Sequence, residues 1–205
     1  MNGGAPLSDE PNLRDSAPDP APGPTVQIAP IGVFAPDLLE TVADTVKRVF
    51  GLEARIAPLI EELGFAYDGE RKQYHSTAIL ERLTAEAPNG ALKVLALTRE
   101  DLFIPILTHV YGEAQLGGTS CIVSTHRLGE GISTVNVRDL YLGRVAKEAA
   151  HELGHTFDLR HCRDARCIMH YCRSIGDVDH KDNDLCRYCP VLLGDYFKKT
   201  GLPVE

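Results

Sequence analysis

Tryptophan is absent from this chain of 205 residues, and methionine occurs only twice. No apolar run approaches the roughly 18 residues that a membrane-spanning helix needs, which excludes an integral helical membrane protein. Positive charge is also scarce: Lys plus Arg number 21 against 29 Asp plus Glu, a formal charge of -8. That balance speaks against generic nucleic-acid binding, which needs a basic face. The first residues, MNGGAPLSDEPNLRDSAPDPAPGP, show neither a basic start nor an apolar core, so no secretory leader is expected and a cytoplasmic location is. What is present suits one folded domain: 43% hydrophobic and 24% charged residues, in a chain long enough to bury a core.

Residues 1–24 carry six of the 13 prolines and almost no large apolar side chains, so a disordered tail is expected there. Order is expected over 25–205, as a part spanning 25–158 and a part spanning 159–205. Val26–Phe34 reads as a strand, and Pro36 opens a helix with Leu39, Val42, Val46 and Val49 on one face and Gly51 after its end. Ala54–Leu59 and Leu92–Leu97 read as strands, and Ser76–Ala87 as a helix. Thr108–Gln115 and Thr119–His126 flank Leu116-Gly117-Gly118 and suggest a hairpin. A long helix is expected from Asp139 to Phe157. The last part holds five of the six cysteines and has few regular signals before a helix at Val191–Lys199. Together these predict an α+β fold, a mixed sheet with helices packed on it and a loop-rich C-terminal lobe.

The long helix ends in His151-Glu152-Leu153-Gly154-His155. Histidines at i and i+4 project from one helix face, so both imidazoles reach one zinc ion. Glu152 is too close in sequence to His151 to be a natural third ligand, and it is placed to hold a water on that zinc and take its proton. His161 comes six positions after His155; if the helix stops near Asp158 and the chain turns back, it can approach the same zinc, and three histidines would leave the fourth position for water. The only internal methionine, Met169, lies eight residues further on. In an apparently cytosolic chain, clustered cysteines more often hold a metal than pair as disulfides, although two disulfides remain the competing reading.

The run His151, Glu152, His155, His161, Cys162, Cys167, Met169, Cys186 and Cys189 resembles the archaemetzincins, a metzincin family of zinc peptidases. It spans about a fifth of the chain. The resemblance implies a mixed twisted β-sheet with a long active-site helix, and a Met-turn at Cys167-Ile168-Met169-His170-Tyr171. It implies two Zn²⁺ per chain: a catalytic one on His151, His155 and His161, and a structural one on Cys162, Cys167, Cys186 and Cys189 that staples the C-terminal lobe. It further implies a peptide or protein substrate, paired along the strand near Thr108–Gln115. Catalytic roles fall to Glu152 and, from other metzincins, to Tyr171 as a partner of the oxyanion. A monomer that binds neither nucleic acid nor membrane is expected. The sequence departs from the metzincin pattern at Asp158, where the family has glycine in a left-handed turn, so Asp158 is expected at positive φ. Cys172 is surplus to the four-cysteine pattern, and Cys121 is expected to be an inert buried thiol. A zinc-stabilised binding module with little turnover is the rival function. A zinc-ribbon nucleic-acid module is a weaker one.

Overall fold

The computed structural model describes residues 24–132 and 137–202. The tail expected over residues 1–24 lies outside them, apart from Pro24. Three buried parallel strands form the centre: β1 (Thr25–Pro30), β5 (Ala91–Thr98) and β8 (Ser120–Ser124). β2 (Glu53–Ile56) adds a parallel strand outside β1, and β7 (Gly112–Ala114) pairs antiparallel with β8 at the other edge, in the order β2-β1-β5-β8-β7. A second, small sheet joins β3 (Tyr67–Asp68), β4 (Gln73–His75) and β6 (Leu102–Phe103).

The central strands read as continuous apolar runs because both faces are covered. Val26, Ile28, Leu95, Leu97, Cys121 and Val123 face α1 (Pro36–Phe50) and α3 (Val137–Thr156). Ala29, Val94, Ala96 and Ile122 alternate onto the other face, against α2 (Ser76–Glu86). α1 ends on Gly51 at φ 68, whose N–H closes on the Lys47 carbonyl. Edge strand β7 is held between two helices. The Glu113 carboxylate accepts from the hydroxyls of Ser76 and Thr77 at the start of α2, while Gly112 and Ala114 turn toward α3.

The mixed sheet, its packed helices and the long helix agree with the expected fold class, with shifted boundaries. The first strand stops at Pro30, because Gly32 at φ 87 turns the chain before Phe34. The second ends at Ile56, two residues before Pro58. The small sheet was not foreseen, since strands of two or three residues show no periodicity. α4 (Ile175–His180) was also missed; Ser174 and Asp177 form its capping box. The last helix, α5 (Cys189–Thr200), starts earlier than expected, with Pro190 in its first turn.

The C-terminal end of α3 is closed from several sides. Asp158 lies at φ 62, as expected from the missing glycine. Its N–H donates to His155 O (3.0 Å) and that of Leu159 to Gly154 O (3.2 Å), the two bonds of a Schellman turn. Gly117, in the hairpin, donates to the same His155 carbonyl (2.9 Å). The buried Lys93 Nζ donates to Thr156 O and Gly118 O, both at 2.7 Å, and to the Tyr196 hydroxyl at 3.1 Å.

Two outcomes follow from this closure. Asp158→Val is expected to lower unfolding free energy in urea by about 1–2 kcal/mol, because a β-branched residue resists positive φ, with Asp158→Gly close to neutral. Equal stability of the valine and glycine variants contradicts the strain. Burial pushes the Lys93 ammonium down to about 8 from its ordinary 10.5. Between those values the unfolded chain binds more protons, so stability rises with pH, and below about pH 8 the contribution is flat. The stability of the wild type relative to Lys93→Met is therefore expected to climb from pH 8 to 10.5, and a level difference contradicts it.

Candidate metal centre and cleft

Helix α3 places His151 and His155 one turn apart on the face toward the cleft, and the turn at Asp158 sends the chain back so that His161 joins them. The three ligand nitrogens lie within 4.8 Å of one another. The tautomers are fixed by backbone. His151 Nδ1 donates to Ile168 O (2.8 Å) and His155 Nδ1 to Leu159 O (2.6 Å), since a carbonyl can only accept. Both Nε2 atoms therefore carry bare lone pairs, and they face each other at 3.2 Å. Two lone pairs at that distance repel unless a cation lies between them and the third imidazole. Burial holds His151 well below its ordinary pKa and brings His155 down to about 4, so the rings are neutral ligands near pH 7. The donor set fits zinc.

Below the histidines, Met169 is fully buried. A methyl group added at Gly154 would meet its Sδ at 2.5 Å, so the glycine is what lets the thioether pack under the helix. The Met169 carbonyl accepts from Cys162 N (2.8 Å), which ties this turn to the start of the cysteine lobe.

Cys162, Cys167, Cys186 and Cys189 converge in a second group, with all four sulfurs within 4.8 Å. The Cys162–Cys186, Cys167–Cys189 and Cys186–Cys189 sulfur pairs are each 3.7 Å apart. A tetrahedron with such edges has its centre about 2.3 Å from each corner, the length of a zinc–thiolate bond, and a disulfide bond is far shorter at about 2.05 Å. Burial raises Cys167 to about 11; at Cys186 burial is outweighed by backbone N–H groups of Cys189 and Tyr188, which bring the thiol to about 7. Cys172 lies outside the group and lines the cleft instead. His170 donates to Cys162 O (2.9 Å), and neither it nor His180 joins a ligand cluster among the described residues. Cys121 is buried in β8, its thiol pushed up by desolvation.

The histidines open into a cleft of about 690 Å³ between edge strand β7 and the C-terminal lobe. Glu152 lines it and is largely buried, which raises its pKa well above 4.5, with the nearby Glu148 carboxylate adding to the effect. Its room is made by Gly112: a methyl there would lie 2.6 Å from Glu152 Cγ and 2.6 Å from Ile122 O. Tyr171 is 43% exposed, with its ring 5.0 Å from that of His161.

Sequence reasoning missed a set of buried charges beside this site. One turn before Glu152, Glu148 pairs with Lys181 at 2.6 Å, the two side chains 4% and 0% exposed. One turn earlier again, Arg144 holds Asp179 with two 2.7 Å bonds. The signal was there in the i, i+4 spacing of Arg144, Glu148 and Glu152 on an inward helix face.

Gly154→Ala is expected to destabilise the chain by about 1–3 kcal/mol through overpacking. In a double-mutant cycle, Met169→Ala should recover part of that loss. Strictly additive effects would show that Gly154 and Met169 do not share the space.

The peptidase family M54 model matches residues 60–194. The archaemetzincin of Halobacterium salinarum is 34% identical over 168 residues, 80% of this chain and 96% of that protein. The crystal structure of archaemetzincin from Methanopyrus kandleri superposes with a TM-score of 0.76 at 32% identity, covering 86% of this chain and 96% of that one. That from Archaeoglobus fulgidus, complexed with malonate, gives 0.70 at 32% identity, covering 82% and 99%. With its histidine and cysteine clusters set as a zinc enzyme requires, the chain belongs to peptidase family M54, the archaemetzincins, and is a zinc metallopeptidase.

Proposed function

We propose that the chain hydrolyses peptide bonds with a catalytic zinc held by His151, His155 and His161, while a second zinc on Cys162, Cys167, Cys186 and Cys189 stabilises the lobe over residues 159–205. The observation that carries this reading is the pair of bare Nε2 atoms 3.2 Å apart, beside a buried glutamate on the wall of an open cleft. When bound, zinc supplies Lewis acidity that activates water and polarises the scissile carbonyl. The remaining work falls to the chain. Glu152 accepts the proton of the attacking water at a carboxylate oxygen and hands it to the leaving amine. Its burial suits the second half of that task, since a desolvated carboxylate is readily protonated. The outer edge of β7 has no strand partner among the described residues, and an extended substrate pairs there. Tyr171, beside His161, donates its hydroxyl to the oxyanion that develops on the substrate carbonyl.

Glu152→Gln is expected to retain zinc and lose peptidase activity by orders of magnitude, and undiminished turnover would sink the mechanism. Elemental analysis should give two zinc per chain, falling to about one in His161→Ala. One zinc unaffected by that change would leave only the cysteine site and favour the binding-module reading. Tyr171→Phe should lower kcat/KM; an unchanged value removes the oxyanion role.

A further inference from the structure

The cleft walls differ in character. On the β7 side the rim carries apolar side chains, Leu107 at 40% and Leu116 at 48% exposed. On the lobe side it carries Arg160 and Arg173, both exposed. Several arginines of this acidic chain pair with carboxylates, Arg48 with Asp184, Arg138 with Asp37, Arg144 with Asp179 and Arg166 with Asp182, while Arg55 and Arg71 bond instead to Gln27 and to the Leu107 carbonyl. Among the described residues, Arg160 and Arg173 have no such partner. Two nearby acids are already engaged. Glu148 is taken by Lys181, and Asp177 Oδ2 accepts the backbone N–H groups of Arg173 and Ser174, both at 2.9 Å. Those bonds fix the Arg173 backbone at the capped start of α4. Its guanidinium sits 6.0 Å from the centroid of Tyr171, whose ring in turn stands 5.0 Å from His161. Arg160, also lining the cleft, immediately precedes His161 in the chain.

We propose that Arg160 and Arg173 make the cleft selective for peptides bearing a carboxylate close to the scissile bond. This rests on the peptidase reading of the same cleft. A guanidinium presents paired donors to a carboxylate, and one already resting on an aromatic face has less freedom to lose on binding. The carboxylate comes from an acidic side chain or from the substrate's own C-terminus.

The test compares peptides that differ only as Glu or Gln beside a common apolar centre, each made as a C-terminal acid and as an amide. Wild type and the Arg160→Gln/Arg173→Gln double variant, both full-length and zinc-loaded, are assayed for kcat/KM. The Kd of the same peptides is measured on Glu152→Gln with and without the two arginine changes. The expected result is a preference of about three- to tenfold for the carboxylate-bearing peptide, shrinking with added salt and falling to near one in the double variant. Loss of preference on Glu→Gln identifies the side chain as the source, and loss on amidation identifies the C-terminus. Turnover with a ratio near one in wild type, or a ratio that survives in the double variant, overturns the proposal. Absence of turnover with the binding ratio intact indicts the peptidase reading and leaves the charge selectivity standing.

Discussion

The local architecture depends on a repulsion. Two imidazole nitrogens with exposed lone pairs are held 3.2 Å apart, and neither ring can turn away because its other nitrogen is bonded to a backbone carbonyl. Those carbonyls belong to Ile168 and Leu159, residues of the chain that returns after the helix. The return path and the histidine geometry therefore specify each other. If Asp158 did not reverse the chain, Leu159 would not cap His155 and His161 would not arrive. A buried pair of like dipoles is unfavourable by itself, and a shared cation changes its sign, so folding and metal uptake are linked.

A second constraint is the buried charge along α3. Arg144, Lys147 and Glu148 grip the α4 turn through Asp179, through the Val178 and Asp179 carbonyls, and through Lys181. Buried ion pairs contribute little net stability, because desolvation offsets most of their attraction. Breaking one, however, strands a buried charge. Such pairs thus favour one register of the lobe against the helix over its neighbours. That matters here because Cys167, Ile168, Met169, Val178 and Cys189 are most of what the lobe buries before α5 turns inward. Its position must be set by directional bonds and sulfur geometry rather than by bulk burial.

The parts legible in the sequence were those with a period or a fixed offset. α1 showed its helical stripe and its glycine stop. β5 showed as an apolar run and β8 as one arm of a hairpin, and the resemblance carried by the His and Cys run named both clusters that the structure brings together. Asp158 was legible as a departure, since a left-handed turn was required at a non-glycine position. Illegible were features set by long-range pairing. β3, β4 and β6 are too short to carry a pattern. Lys181 is an ordinary lysine until the fold places it 2.6 Å from Glu148, 33 residues away. Gly112 reads only as one residue of a hairpin strand, and the approach of α3 shows that its missing side chain makes room for Glu152.

The two cysteine and histidine clusters share a strut, and this explains how a short lobe serves a catalytic site. His161 and Cys162 are consecutive, so the last histidine and the first cysteine of the two clusters sit on one peptide unit. Cys162 N bonds to Met169 O, and Cys167, two residues before Met169, packs in the same sulfur group. The segment from His161 to Met169 is thus anchored at both ends by the cysteines, while its methionine presses on Gly154 between the two helical histidines. Any rotation of the lobe moves His161 and Met169 together against α3. Four sulfurs with fixed spacings resist that rotation at short lever arm. The exposed His161, whose ring stacks on that of His151 and lies beside that of Tyr171, takes its place along the chain from buried Leu159 and half-buried Cys162 on either side.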